Sequence, residues 1–278
     1  MNNSGKHPIG IFDSGYGGLT IFEKIRSLLP SYDYVYLGDN ARAPYGTRSF
    51  GIVYQFTLQA VMRLFDEGCP LVILACNTAS AKALRTIQQR DLPVSSDPSR
   101  RVLGIIRPTV EALGTISRTR HIGVLATSGT ISSGSYTLEI AKLAPDMTVT
   151  GEACPMWVPL VENREHESDG ADYFVRKNIS NILAADPLID TLALACTHYP
   201  LLEPKIRQWL PQGVTLFSQG DCVAASLKDY LLRHPEMSNR LSCSGLCRFL
   251  TTESVEKFSE VASIFLNRPI EVSQITLA

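Results

Sequence analysis

No run of about 18 apolar residues occurs in the chain, so nothing in it reads as a membrane-crossing helix. Neither sign of charge is in excess: 26 Lys and Arg stand against 27 Asp and Glu, a net charge of −1. Such a balance gives no electrostatic reason to expect nucleic acid or an anionic membrane surface as a partner. The short basic groups, Arg100-Arg101 and Arg118 with Arg120, are too small to be more than solvated surface. Metal-ligand spacing is missing too. Cys243 and Cys247 lie four apart, with no second Cys or His pair near them to complete a zinc site, so no metal is expected. Gly15, Gly17 and Gly18 do not supply the G-x-G-x-x-G spacing of a dinucleotide fingerprint, which argues against a nucleotide cofactor. The stretch Met1 to Pro8 is polar and lacks an apolar signal core. The seven cysteines are odd in number and follow no disulfide framework. Both features predict a cytoplasmic protein with free thiols, in which Cys69, Cys154, Cys222, Cys243 and Cys247 are buried or half-buried structural residues.

What is present is organised around Leu71-Val72-Ile73-Leu74-Ala75-Cys76-Asn77-Thr78. Four branched apolar residues run into a thiol, an amide and a hydroxyl, and Ala79 to Leu84 then reads as helix. That pattern predicts a fully buried parallel strand delivering short polar side chains to its C-terminal tip, where ligands bind in open α/β sheets. It recurs as Leu192-Ala193-Leu194-Ala195-Cys196-Thr197-His198-Tyr199. Upstream, Ile9-Gly10-Ile11-Phe12-Asp13-Ser14-Gly15 is echoed 113 residues later by Ile122-Gly123-Val124-Leu125-Ala126-Thr127-Ser128-Gly129, close to the 120 separating the two cysteines. Two landmarks at nearly one offset imply an internal duplication: two pseudo-symmetric α/β domains with mainly parallel sheets flanked by helices. At 278 residues and 45% hydrophobic content, the chain can bury two such cores. The Pro/Ser-rich segment Asp91 to Ser99 is the best linker candidate. About 70 residues beyond Cys196 are too many to cap the second domain, so the tail is expected to fold back on the first. This gives 1–100 with 209–278, and 101–208.

Two thiols on opposite sides of one small ligand suit a two-base exchange, in which one thiolate removes a proton from carbon and the other thiol returns one to the opposite face. Helix N-termini or a neighbouring base can supply the thiolate near neutral pH. Asp13 ends the first strand and either orients Cys76 or caps the following helix. His198 is either a partner of Cys196 or an ordinary hydrogen-bonded histidine. Ser14, Asn77, Thr78, Thr127, Thr130 and Thr197, with backbone N–H groups, can bind the carboxylates and ammonium of an amino acid.

Five segments resemble the signatures of glutamate racemase, within the aspartate/glutamate racemase superfamily. They are Phe12-Asp13-Ser14-Gly15-Tyr16-Gly17-Gly18-Leu19, Tyr36-Leu37-Gly38-Asp39 with Ala43-Pro44-Tyr45-Gly46, Ala75-Cys76-Asn77-Thr78-Ala79-Ser80, Val158-Pro159-Leu160-Val161-Glu162, and Ala195-Cys196-Thr197-His198-Tyr199-Pro200-Leu201-Leu202. The resemblance implies a cofactor-independent interconversion of L- and D-glutamate in an interdomain cleft, supplying D-glutamate for peptidoglycan, by a cytoplasmic homodimer. It makes Cys76 and Cys196 the acid/base pair, the former deprotonating D-glutamate and the latter L-glutamate. Asp13, Ser14, Tyr45, Gly46, Asn77, Thr78, Thr197 and His198 then hold the substrate, with Thr127 and Thr130 as further contacts. Asp13 and His198 tune the thiols, and Glu162 supports the Cys196 side. Three departures stand out: Ala195 where the family commonly has glycine, a longer and more polar segment from Asp91 to Arg101, and Arg107 where many members carry an uncharged or acidic residue. Competing readings are a racemase of aspartate or hydantoin, a thiol hydrolase, and a non-catalytic small-molecule binding protein. A hydrolase would have to build its dyad from Cys196 and His198, only two residues apart, and would leave Cys76 idle.

Overall fold

A computed structural model describes residues 6–266 and 268–277. Residues 1–5 of the polar leading stretch lie outside the described residues. The chain divides into two compact units, Met1–Ile105 with Gly220–Ala278, and Ile106–Gln219. The strands are β1 (Ile9–Asp13), β2 (Tyr34–Gly38), β3 (Leu71–Leu74), β4 (Arg101–Gly104), β5 (His121–Ala126), β6 (Thr148–Ala153), β7 (Thr191–Ala195), β8 (Thr215–Ser218), β9 (Cys247–Thr251) and β10 (Val272–Gln274).

In the first unit the sheet order is β10-β9-β2-β1-β3-β4, and in the second it is β6-β5-β7-β8. Every pairing in both sheets is parallel. The run β2-β1-β3-β4 has the same plan as β6-β5-β7-β8, so each unit carries its cysteine immediately beyond a strand next to the one that opens the unit's sheet. This is the structural form of the repeat seen in the sequence.

Parallel strands covered on both faces have no polar side to present, and β1, β2 and β3 are buried throughout. Alternate residues feed opposite layers. Ile9, Ile11, Tyr34, Tyr36, Leu71 and Ile73 join the core beneath the helices Gly18–Leu28, Gly220–Arg233 and Val255–Leu266. Phe12, Val35, Leu37, Val72 and Leu74 join the core beneath the helix Phe50–Asp66. Each such side chain, fully removed from water, contributes on the order of 1.5–3 kcal/mol before the entropy of ordering is subtracted. In the second unit the helices Ile106–Ile116 and Ser135–Leu143 pack together, as do Asp169–Ala185 and Glu203–Trp209.

Four expectations are corrected. The segment 91–99 does not join the units: it continues the crossover from β3 to β4, which pair in one sheet, and the chain passes between units at 105/106 and 219/220. The expected boundary at 208/209 falls too early, because β8 hydrogen-bonds to β7 and so belongs to the second unit. The helix expected over Ala79 to Leu84 is interrupted within that span. It leaves helical geometry at Ala83 (φ −120°), resumes at Leu84–Thr86, widens into a π-helical turn at Ile87–Asp91 and ends in a short turn containing Pro93. Cys243, expected to be at least half-buried, is exposed. Among the described residues no helix is long and apolar enough to cross a membrane.

The entry to β7 is fixed by one buried carboxylate. Asp190 accepts hydrogen bonds from the amides of Arg118 (2.7 Å) and Thr119 (2.8 Å) and from the hydroxyls of Ser117 (2.7 Å) and Thr191 (2.9 Å). Burial would raise its pKa, but these donors outweigh it and hold the group down at about 2, against 3.8 for a free aspartate. The folded value is depressed, so this stabilisation is complete above about pH 4 and is lost as pH falls through about 2. Asp190→Asn, which keeps one acceptor and faces two amides with a donor, should lower unfolding free energy by roughly 1–3 kcal/mol at neutral pH. Urea titrations at pH 7 and pH 3 check this, and the gap between variant and parent should narrow at the lower pH.

Candidate active site

The residues singled out by the sequence fall into two groups, one in each unit. In the first unit β1 and β3 run side by side with Phe12 opposite Leu74, and the Ala75 amide donates to the Phe12 carbonyl at 2.7 Å. Asp13-Ser14 and Cys76 therefore leave the sheet together, and Ser14 Oγ lies 3.3 Å from Cys76 Sγ. Cys76 occupies the N-cap of the helix Asn77–Lys82, with its sulfur accepting from the Ala79 amide at 3.4 Å. A backbone N–H aimed at sulfur from the first helical turn favours the thiolate. Asn77 and Thr78 form that first turn and are both buried.

Asp13 is 1% exposed and accepts from the Gly15 amide at 2.8 Å. It does not cap the following helix, whose N-cap is Gly17. Its room comes from Gly18, where an added Cβ would sit 2.5 Å from the Asp13 Cβ and 2.8 Å from its Cγ. The glycine-rich turn thus lets a helix start directly over a carboxylate. The Tyr36 hydroxyl donates to the Gly15 carbonyl at 3.2 Å. Burial first, then the charges of Asp13 and Cys76, push its pKa far up, so it stays a donor.

Tyr45 is buried, and its hydroxyl donates to Asp39 Oδ2 in a short hydrogen bond. The same oxygen accepts from Arg42 Nε at 2.7 Å, while Asp39 Oδ1 accepts from the Thr252 hydroxyl at 2.9 Å. Burial and Asp39 push the Tyr45 pKa strongly upward. Its hydroxyl proton is committed to Asp39, so what the Tyr45-Gly46 turn can offer a ligand is chiefly backbone. Gly46 itself is half-buried.

In the second unit β5 pairs with β7 so that Ala126 lies opposite Ala195. Thr127 and Cys196 are thus the next residues on adjacent strands. Ala195 is fully buried, so the methyl that departs from the family pattern is accommodated within the sheet. Thr127 caps the helix Ser128–Ser132, accepting from the Thr130 amide, and the two hydroxyls lie 3.2 Å apart. Thr197 and His198 are buried behind Cys196. His198 Nδ1 is 3.9 Å from Cys196 Sγ, and its Nε2 is 2.9 Å from Glu162 Oε1, on the helix Trp157–Glu162. Burial alone would lower the histidine pKa, but the hydrogen bonds and charges of Cys196 and Glu162 win and push it up to about 10. At the nearby Cys154, burial first, then Glu152 and Cys196, raise the pKa well above the ordinary thiol value.

Of the expected site residues, Asp13, Ser14, Tyr45, Gly46, Cys76, Asn77 and Thr78 lie in the first unit, and Thr127, Thr130, Glu162, Cys196, Thr197 and His198 in the second. Asp39, Arg42 and Thr252 were given no role by sequence reasoning. Asp39 sits in a recognised segment, but Thr252 reaches it from more than 200 positions away, a pairing no local spacing announces. Among the described residues no group of three His, Cys, Asp or Glu side chains is arranged to hold a metal ion.

Removing the Glu162 charge should drop the His198 midpoint from about 10 towards 6.5. The protonated ring stabilises the fold fully below about pH 6.5, and that contribution disappears as pH rises through about 10. In Glu162→Gln that contribution should be smaller and should be gone at a lower pH. An NMR titration of the His198 ring, paired with melting curves from pH 6 to pH 10, measures both effects.

Residues 15–227 match the Asp/Glu/hydantoin racemase family. The chain is 41% identical to a glutamate racemase of Roseobacter denitrificans, over 95% of this chain and 98% of that one. It is 39% identical to a glutamate racemase of Shouchella clausii, over 94% of this chain and 90% of that one. Among solved structures, a glutamate racemase isoform from Bacillus anthracis superposes with a TM-score of 0.88 at 34% identity, covering 98% of both chains. The Francisella tularensis glutamate racemase, in complex with D-glutamate, gives 0.86 at 30% identity over 98% of both.

Proposed function

The chain belongs to the Asp/Glu/hydantoin racemase family, in its glutamate racemase group, and from that premise we propose that it interconverts L- and D-glutamate by two-base proton transfer at Cα. The observation that carries the proposal is the matched placement of two thiols. Each follows a buried strand and each lies near a group that favours its anion, an amide for Cys76 and His198 for Cys196. We propose further that the reaction needs no cofactor and feeds D-glutamate to peptidoglycan, in a cytoplasmic homodimer.

In the forward sense, the Cys196 thiolate removes the Cα proton of L-glutamate, forming an S–H bond as the C–H electron pair passes to the carbon. The Cys76 thiol then protonates the opposite face, leaving its own sulfur as the anion and releasing D-glutamate. The reverse reaction begins at Cys76. Imidazolium and amide donors stabilise whichever sulfur is charged, and the substrate carboxylates stay bound throughout. Ser14, Asn77, Thr78, Thr127, Thr130 and Thr197, with the backbone at Tyr45-Gly46, are the groups proposed to hold them. Asp13 is proposed to order the turn beneath Cys76, and Glu162 to keep His198 protonated.

The equilibrium constant between enantiomers is unity, so kcat/KM must be equal in the two directions for the parent and for every variant. Incubated in deuterium oxide without pyridoxal phosphate and after treatment with a chelator, the protein should place deuterium at Cα of glutamate with no bond cleavage. Cys76→Ser and Cys196→Ser should each cut racemisation by roughly 10²–10⁴-fold, followed by circular dichroism. Full activity in both variants would overturn the two-thiol reading, and faster turnover of L-aspartate would overturn the substrate assignment.

A further inference from the structure

Lys82 ends the helix whose N-cap is Cys76, and it is only 7% exposed. Burial holds its pKa below the usual lysine range. Its ammonium donates to the carbonyl of Arg48 at 2.8 Å. That carbonyl closes a tight turn: the Arg48 amide donates to the Tyr45 carbonyl at 3.1 Å, and Gly46 and Thr47 lie between them. Thr47, Arg48 and Ser49 are exposed, so the turn has little packing of its own to fix it. Two buried charged groups supply the fixing. Asp39 takes the Tyr45 hydroxyl at the turn's first residue, and Lys82 takes the carbonyl of its last.

We propose that Lys82 is a positioning residue, holding the Tyr45–Arg48 turn at a set distance from Cys76 so that a substrate bound by the turn backbone meets the sulfur in register. The proposal rests on the racemase reading for its substrate, but the clamp itself is a property of the first unit. The helix Asn77–Lys82 is a short rigid spacer with the sulfur at one end and the ammonium at the other. Without the donor, the turn samples other arrangements and must be ordered at each binding event. That cost appears in KM, while the chemistry of molecules that do bind is little changed.

A packing role predicts something different. A methionine fills nearly the same space as lysine and removes the cost of a desolvated ammonium, while the carbonyl of exposed Arg48 can turn to water. Lys82→Met should therefore melt at the parent temperature or slightly above it. Its KM for glutamate should rise about 10-fold, with kcat within about two-fold of the parent. Backbone amides of residues 45–48 should exchange with deuterium faster, and those of β1 and β3 should not. Lys82→Arg, which keeps a cationic donor, should bring KM back to within about three-fold. An unchanged KM in Lys82→Met overturns the proposal, as does a Lys82→Arg enzyme impaired as badly as the methionine variant. If Lys82→Met fails to fold, Lys82→Leu, which also lacks a donor, takes its place with the same expected rise, and an unchanged KM there overturns the proposal equally. A parent protein that does not racemise glutamate sinks the functional reading alone, and faster exchange confined to the turn in Lys82→Met still decides the clamp.

Discussion

A short parallel strand buried on both faces can place polar side chains only where it ends. In both units the strand that carries the cysteine is buried throughout and apolar but for Thr191 at the start of β7, and the cysteine follows within two residues. Everything around the two sulfurs accommodates that constraint. Neighbouring strands end in register with them, and the glycine turn after β1 opens enough space for a carboxylate. Side chains at the tips satisfy one another because water is largely absent there.

The two sulfurs share a plan but differ in how their charge is balanced. Cys76 relies on an amide and a hydroxyl, both neutral. Cys196 faces a histidine whose pKa Cys196 itself and the Glu162 carboxylate together raise. An ion pair in a buried place is sensitive to losing either member, since a lone charge left behind is costly. The Cys196 group is thus the more fragile in physical terms, and the Cys76 group the more dependent on backbone geometry. A duplicated fold has kept its strands and diverged in its electrostatics.

Much of this was legible in the residues themselves. The strand-tip cysteines and the Asp13-Ser14 turn announce themselves through continuous apolar runs broken by short polar residues, a signal that depends only on near neighbours. The proline-rich segment 91–99 misled because composition reports exposure and turning, and a crossover within one sheet needs both as much as a linker does. The place of β8 was hidden because pairing with β7 is decided by tertiary packing. Asp39 with Thr252, and Lys82 with Arg48, could not be read at all: each joins partners whose separation along the chain carries no periodicity.

β9 pairs with β2 in the first unit, and Thr252 follows it to reach Asp39. On the ribosome, residues 106–219 emerge as a finished unit while β2 still has an unpaired edge, waiting for a strand made more than 200 residues afterwards. The part of the first unit that precedes residue 106 is therefore completed only after the second unit has been made, and the Asp39 contact that helps hold the Tyr45 turn gains its Thr252 partner only then. A nonsense codon between residues 220 and 247 would release a nascent chain in which the second unit is intact and the first exposes a ready edge for aggregation.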